Sequence, residues 1–149
     1  MARERKVLVI MRGPSGSGKS TYTSKHLEEG VVCSADNYFS RGGEYKFDPR
    51  QLGAAHGYCK GKCETELKKG TPLVVVDNTN TQLLEMKPYV KLAREHGYDV
   101  RFVRLDTPVS VAAARNTHGV PEQAVQRMAA RMDDIPDEWG RETVVSGIE

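Results

Sequence analysis

Cysteine is scarce in this chain. The three residues among 149 are an odd number without disulfide spacing, which argues against a disulfide-built scaffold and points to a reducing, cytoplasmic setting. No run of about 18 apolar residues occurs, so no membrane-spanning helix is expected. Met1-Ala-Arg-Glu-Arg-Lys6 leads straight into a short apolar run, without the h-region and cleavage site of a secretory signal. Net charge is also small, at +2, less than a protein gripping a long duplex usually carries. The chain has no Asn-Lys-x-Asp motif for reading guanine, no internal repeat and no low-complexity segment. What is left is one soluble domain spanning residues 1–149, long enough for a single core and too short for two.

The order of elements suggests the fold. Val7-Leu-Val-Ile-Met11 and Leu73-Val-Val-Val76 are continuous apolar runs of strand length, the pattern of strands buried on both faces of a parallel sheet. Val31-Val-Cys33 and Val100–Leu105 read as further strands. Helices are expected over Lys19–Glu29, from Pro49 to about Lys69, from a start with Pro88 in its first turn to His96, and from Pro121 to about Met132. Asp36–Asp48 reads as loop, and the tail from Asp133 carries no clear signal. Such alternation predicts an α/β fold of three layers, a parallel sheet with helices on both faces.

Gly13-Pro-Ser-Gly-Ser-Gly-Lys-Ser20 matches G-x-x-x-x-G-K-[ST] between a strand and a helix, the context a P-loop requires. Gly13, Gly16 and Gly18 let the backbone curl, so that successive N–H groups, with Ser15, Ser17 and Thr21, face the phosphates of a nucleoside triphosphate. Lys19 supplies a full charge for the β- and γ-phosphates, and the Ser20 hydroxyl is the expected Mg²⁺ ligand. The short length and the missing guanine motif favour a compact transferase over a motor or switch GTPase.

Two aspartates follow strands, where ligands sit in such sheets. Asp36, in Ser34-Ala-Asp-Asn-Tyr-Phe39, is assigned as general base for an acceptor hydroxyl. Asp77, in Asp77-Asn-Thr-Asn80, is assigned to organising Mg²⁺. The plainer roles are a turn cap for Asp36 and loop holding for Asp77 with Asn78. Asn78, Asn80 and Arg41 are assigned to the acceptor. Arg115, in Arg115-Asn-Thr-His-Gly-Val-Pro121, is the lid arginine expected to neutralise charge on the transferring phosphoryl group. Arg127 and Arg131, spaced i,i+4, share a helix face that either assists it or is merely solvated. His56, Cys59 and Cys63 coincide with an apolar helix stripe of Leu52, Ala55, Cys59, Cys63 and Leu67, so they read as core and not as metal ligands.

With these motifs in this order, residues 7–132 resemble the polynucleotide kinase branch of P-loop kinases. The resemblance is close to the kinase-like domains of NEDD4-binding protein 2 relatives and to phage kinases. It implies ATP with Mg²⁺, a polynucleotide hydroxyl as acceptor and a small lid, and it places the family's base, strand aspartate and lid arginine on Asp36, Asp77 and Arg115. Two departures stand out. Phe39 occupies the position where the phage end-healing kinase has an arginine for the acceptor's 3′-phosphate, with Arg41 nearby, and the lid is shorter. The acceptors in view are therefore a DNA or RNA 5′-OH end, a hydroxymethylpyrimidine such as 5-hydroxymethyluracil within DNA, and a nucleoside or other small molecule. Arg41–Lys69 holds seven Lys/Arg against four Asp/Glu and Arg101–Arg131 five against two, which suits contact with a few phosphates. No obligate protein partner is inferred.

Overall fold

The computed structural model describes residues 5–115 and 119–147. Five strands form one sheet: β1 (Val7–Arg12), β2 (Val31–Cys33), β3 (Leu73–Asp77), β4 (Asp99–Asp106) and β5 (Arg141–Ser146). Their order is β2-β3-β1-β4-β5 and every pairing is parallel. The helices are α1 (Lys19–His26), α2 (Asp36–Phe39), α3 (Leu52–Lys69), α4 (Leu83–Glu95), α5 (Val109–Arg115) and α6 (Glu122–Ala130). Among the described residues no helix is long and apolar enough to cross a membrane.

The central strand shows why the sheet needs helices on both faces. Leu8 and Ile10 point into one core with Val74, Val76 and Phe102, closed by Ala55, Cys59, Cys63 and Leu67 of α3 and by Met86, Tyr89 and Val90 of α4. Val9 and Met11 point the other way, into a second core with Val75, Val103 and Leu105, packed by Tyr22 of α1. Period-two alternation along a strand that is apolar at every position thus produces the three layers. The α3 stripe packs as expected except at its first member, since Leu52 is exposed. His56 is exposed while Cys59 and Cys63 are buried, so these three do not converge.

Three local expectations are corrected. α4 begins at Leu83, because Gln82 and Glu85 form a capping box, and Pro88 lies inside the helix instead of in its first turn. Asp36–Asp48 is not all loop, for its first residues wind into α2. The tail supplies β5, an edge strand held by its ladder to β4. A buried arginine binds this edge to the centre. Arg12, at the end of β1, is fully buried and donates from Nε to the Asn80 carbonyl at 2.9 Å and from Nη2 to those of Thr81 and Asp133 at 3.2 and 2.7 Å. Its Nη1 pairs with Glu142 of β5.

Candidate active site

The strands' carboxyl ends open into a cleft of about 660 Å³, lined by the P-loop, Asp36, Tyr45, Asp77, Asn78, Arg115 and residues 145–147. The P-loop is the turn between β1 and α1. Gly18 has φ 105° at the N-cap of α1, in the left-handed region that side chains disfavour. A Cβ on Gly13 would stand 2.5 Å from the Ser17 hydroxyl, so the loop closes only over glycine there. Ser15, Gly16, Gly18, Lys19, Ser20 and Thr21 line the cleft, whereas Gly13 and Ser17 are buried. Ser17 Oγ has no hydrogen-bond partner among the described residues. Its carbonyl accepts from Thr107 Oγ1 at 2.6 Å, which anchors the loop to the end of β4.

Lys19 lies along the loop, its Nζ donating to the carbonyls of Gly13 at 2.8 Å and Pro14 at 3.1 Å. Desolvation pulls its pKa below the ordinary lysine value, opposed by the negative charges of Asp77 and Asp36. The Ser20 hydroxyl is 3.4 Å from Asp77 Oδ2. Burial raises the Asp77 pKa above the usual carboxylate range, against the opposing pull of Lys19 and Ser20. A hydroxyl beside a carboxylate is a hard-oxygen donor set that fits Mg²⁺.

Asp36 is exposed at the start of α2, and Ser34 Oγ accepts the Asp36 N–H at 3.2 Å. That turn is therefore capped by the serine, and the Asp36 carboxylate faces Tyr45, whose hydroxyl is 3.5 Å from its Oδ1. Asn78 lines the cleft, but its Oδ1 accepts the Ala35 N–H at 2.9 Å and its Nδ2 points to Cys59 Sγ at 3.5 Å. It thereby fixes the backbone leading into Asp36, the loop-holding role. Arg115 is exposed at the end of α5, with Nη1 bonded to the Gly147 carbonyl. Residues 116–118 of the expected lid, including His118, lie outside the described residues.

Residues 8–135 match the family model described as AAA domain. The chain belongs to the AAA domain family. It is 41% identical over 130 residues to human NEDD4-binding protein 2, covering 82% of this chain and 7% of that protein. It is 31% identical over 113 residues to a bifunctional polynucleotide phosphatase/kinase proposed in Acanthamoeba polyphaga mimivirus, covering 75% of this chain and 24% of that protein. The chain thus spans less than a quarter of either relative's length. Its fold superposes on a chain of the Pnkp1/Rnl/Hen1 RNA repair complex with a TM-score of 0.70 at 20% identity, covering 88% of this chain and 45% of that one. It also superposes on a gluconokinase from Sinorhizobium meliloti 1021 with a TM-score of 0.62 at 19% identity, covering 99% and 86%. This AAA domain is a kinase-like P-loop domain related to polynucleotide kinases, and it shares its fold with a sugar kinase.

Two further acceptor assignments in the AAA domain change. Asn80 is buried with a left-handed φ of 46°, and its Nδ2 donates to the Met11 carbonyl at 2.7 Å. Its side chain ties β1 to the loop after β3 and cannot meet a substrate. Arg41 lies outside the cleft lining, with its guanidinium 3.8 Å above the Tyr38 ring and its Nε bonded to the Tyr38 carbonyl. Phe39 is buried, so no side chain from that position enters the cleft. Arg131 donates from Nε to the Arg127 carbonyl at 3.3 Å. Sequence reasoning missed Tyr45, Thr107 and residues 145–147. The Thr-Pro pair after β4 was the available signal for Thr107, and nothing local marked the others.

The raised Asp77 pKa has a consequence for pH. In the ligand-free domain Asp77 holds its proton more tightly folded than unfolded. Its contribution to stability is therefore present below the ordinary carboxylate pKa and is lost as pH rises through the raised value. A Mg²⁺ ion held there would require the carboxylate, so its affinity should fall as pH drops through that raised value, earlier than an ordinary aspartate predicts. Titrating Mg²⁺-dependent thermal stabilisation against pH measures this, and Asp77→Asn should remove the dependence.

Proposed function

We propose that this AAA domain is an ATP-dependent phosphotransferase acting on a hydroxyl of a nucleic acid, most simply the 5′-OH end of DNA or RNA. The observation that carries the reading is a pair of carboxylates in unlike settings near one lysine. Asp77 is half-buried against Ser20, and Asp36 is exposed on the open side of the cleft. Binding of nucleotide alone requires no second, solvent-facing carboxylate.

In this reading the P-loop N–H groups and Lys19 hold the β- and γ-phosphates. Asp36 takes the proton from the acceptor hydroxyl as its oxygen bonds to the γ-phosphorus, and the bond from that phosphorus to the bridging oxygen breaks to release ADP. Ser20 and Asp77 would hold Mg²⁺, which would neutralise charge on the phosphate oxygens. Arg115 leaves the Gly147 carbonyl for the γ-phosphate as charge develops there. A nucleic-acid acceptor is supported by the mimivirus relative's description and by the basic segments Arg41–Lys69 and Arg101–Arg131.

Asp36→Asn keeps shape but cannot take a proton, so transfer should fall by roughly 10²-fold or more while ATP affinity persists. Arg115→Ala should lower kcat far more than it raises KM for ATP, and Arg115→Lys should restore only part, lacking the planar fork. A change confined to KM assigns Arg115 to ground-state binding. The deciding assay offers γ-labelled ATP with 5′-OH DNA and RNA, duplex containing 5-hydroxymethyluracil, nucleosides and gluconate. Labelling of ordinary strands that stops when the 5′-OH is blocked supports the end-kinase reading. Labelling of the internal hydroxymethyl base alone moves the acceptor there, and preferential labelling of small molecules overturns the nucleic-acid reading.

A further inference from the structure

Half of the chain's ten aromatic residues, Tyr38, Phe39, Tyr45, Phe47 and Tyr58, fall within 21 positions beside Asp36. Core packing accounts for Phe39, which is 5% exposed, but not for Phe47 at 51% or Tyr58 at 39%. The rings form one connected array. Phe39 stands edge-on to Phe47 at 5.1 Å, to Tyr38 at 5.3 Å and to Tyr45 at 6.2 Å between centroids, and Tyr38 meets Tyr58 at 5.9 Å. A buried hub holding partly exposed rings edge-to-face fixes their orientation, so little side-chain freedom is left to lose on binding.

Cations are interleaved with these rings. The Arg41 guanidinium covers Tyr38 at 3.8 Å and lies 5.9 Å from the Tyr58 centroid. Its Nε is fixed on the Tyr38 carbonyl, and its terminal nitrogens make no hydrogen bond among the described residues. Lys46 stands exposed between Tyr45 and Phe47 in the chain. The array begins inside the cleft, where Tyr45 reaches toward Asp36, and runs out to open surface.

We propose that this array is a stacking platform for the unpaired bases of a single-stranded polynucleotide whose terminal hydroxyl is presented to Asp36. The proposal rests on the nucleic-acid reading above and specifies its acceptor. Rigid aromatic faces bind bases of any sequence, and cations between them meet the phosphates linking those bases. A duplex hides its base faces within its own stack, so only unpaired nucleotides satisfy the array. Arg41, displaced from the cleft, thereby gains a role as a guanidinium plane for stacking and a charge for a flanking phosphate.

The test uses the full chain without ATP and reads binding from the fluorescence of a single-stranded 5′-hydroxyl hexamer with 2-aminopurine at its second position. Stacking should quench the probe. The double variant Phe47→Ala/Tyr58→Ala should weaken hexamer binding about tenfold or more, with ATP affinity and thermal midpoint retained, and Phe47→Tyr/Tyr58→Phe should bind like the parent. An unlabelled hexamer abasic at its second and third positions has the same phosphates and, competing against the fluorescent probe, should bind the parent as weakly as the intact hexamer binds the double alanine variant. Equal affinity for intact and abasic hexamers, or for the hexamer and a blunt duplex of equal length, overturns the platform. So does a dimer of the parent that the double variant turns into monomer, since the rings would then serve a protein interface. Quenching without any phosphoryl transfer refutes the phosphotransferase reading and keeps the platform, whereas transfer that ignores abasic sites does the reverse.

Discussion

Lys19→Ala lowers phosphoryl transfer by about 10³-fold or more and removes the stabilisation that ATP gives the domain. The ammonium lies at the loop's own carbonyls, 2.8 Å from that of Gly13, so it is already delivered to the phosphate cradle before any nucleotide arrives. Part of the transition-state charge falls on γ-oxygens beside it, where losing one preorganised donor typically costs about 10²–10³ in rate, and a full charge costs more. Saturating ATP should raise the thermal midpoint of the parent by about 5–10 °C, from roughly 2.7 kcal/mol of linkage at a hundredfold excess over Kd. The variant should show little of that rise while keeping its circular dichroism. Parent-like turnover in purified Lys19→Ala would refute the assignment of the cradle.

Arg12→Met destabilises the domain by about 3–5 kcal/mol, seen as a thermal midpoint lower by roughly 10 °C or more. The guanidinium is fully buried and serves three backbone carbonyls as well as Glu142. An apolar replacement fills the volume but leaves those carbonyls and a half-buried carboxylate without their donor, each a loss of about 1–3 kcal/mol before relaxation. Arg12→Lys should recover little, since one ammonium cannot reach acceptors arranged around a planar fork. Adding Glu142→Gln to Arg12→Met should recover part of the loss by removing the unpaired charge. Urea titration measures all four proteins, and a loss below about 1 kcal/mol would mean that water replaces the guanidinium.

The inner strands were legible because burial on both faces demands apolar residues at every position, as in Val7–Met11 and Leu73–Val76. β5 escaped for the opposite reason. An edge strand is held by its ladder, so Arg-Glu-Thr-Val-Val-Ser can serve without an apolar pattern. The P-loop declares itself by spacing alone, and Asp36 and Asp77 followed from where strands end. The Asp77–Asn80 motif misled because its members divide between roles. Asp77 faces the cleft, Asn78 fixes the approach to Asp36, and Asn80 turns inward on a left-handed backbone. No periodicity encodes that reversal. Tyr45 was invisible because its approach to Asp36 depends on the chain doubling back through Gly42-Gly43, and a loop path cannot be read from composition.

The contacts of Gly147 set a time for the domain's biogenesis. A Cβ there would collide with Thr107 Oγ1 and the Ser17 carbonyl, so the end of the fifth strand lies directly on the phosphate loop. The loop is translated well before its buttress, with the Arg12–Glu142 pair closing a separation of 130 residues. Contacts so distant along the chain form late in folding. A nascent chain on the ribosome would then carry an emerged but unbraced P-loop until the fifth strand follows it out. Nucleotide-binding competence would arrive abruptly, when residues near 147 clear the exit tunnel.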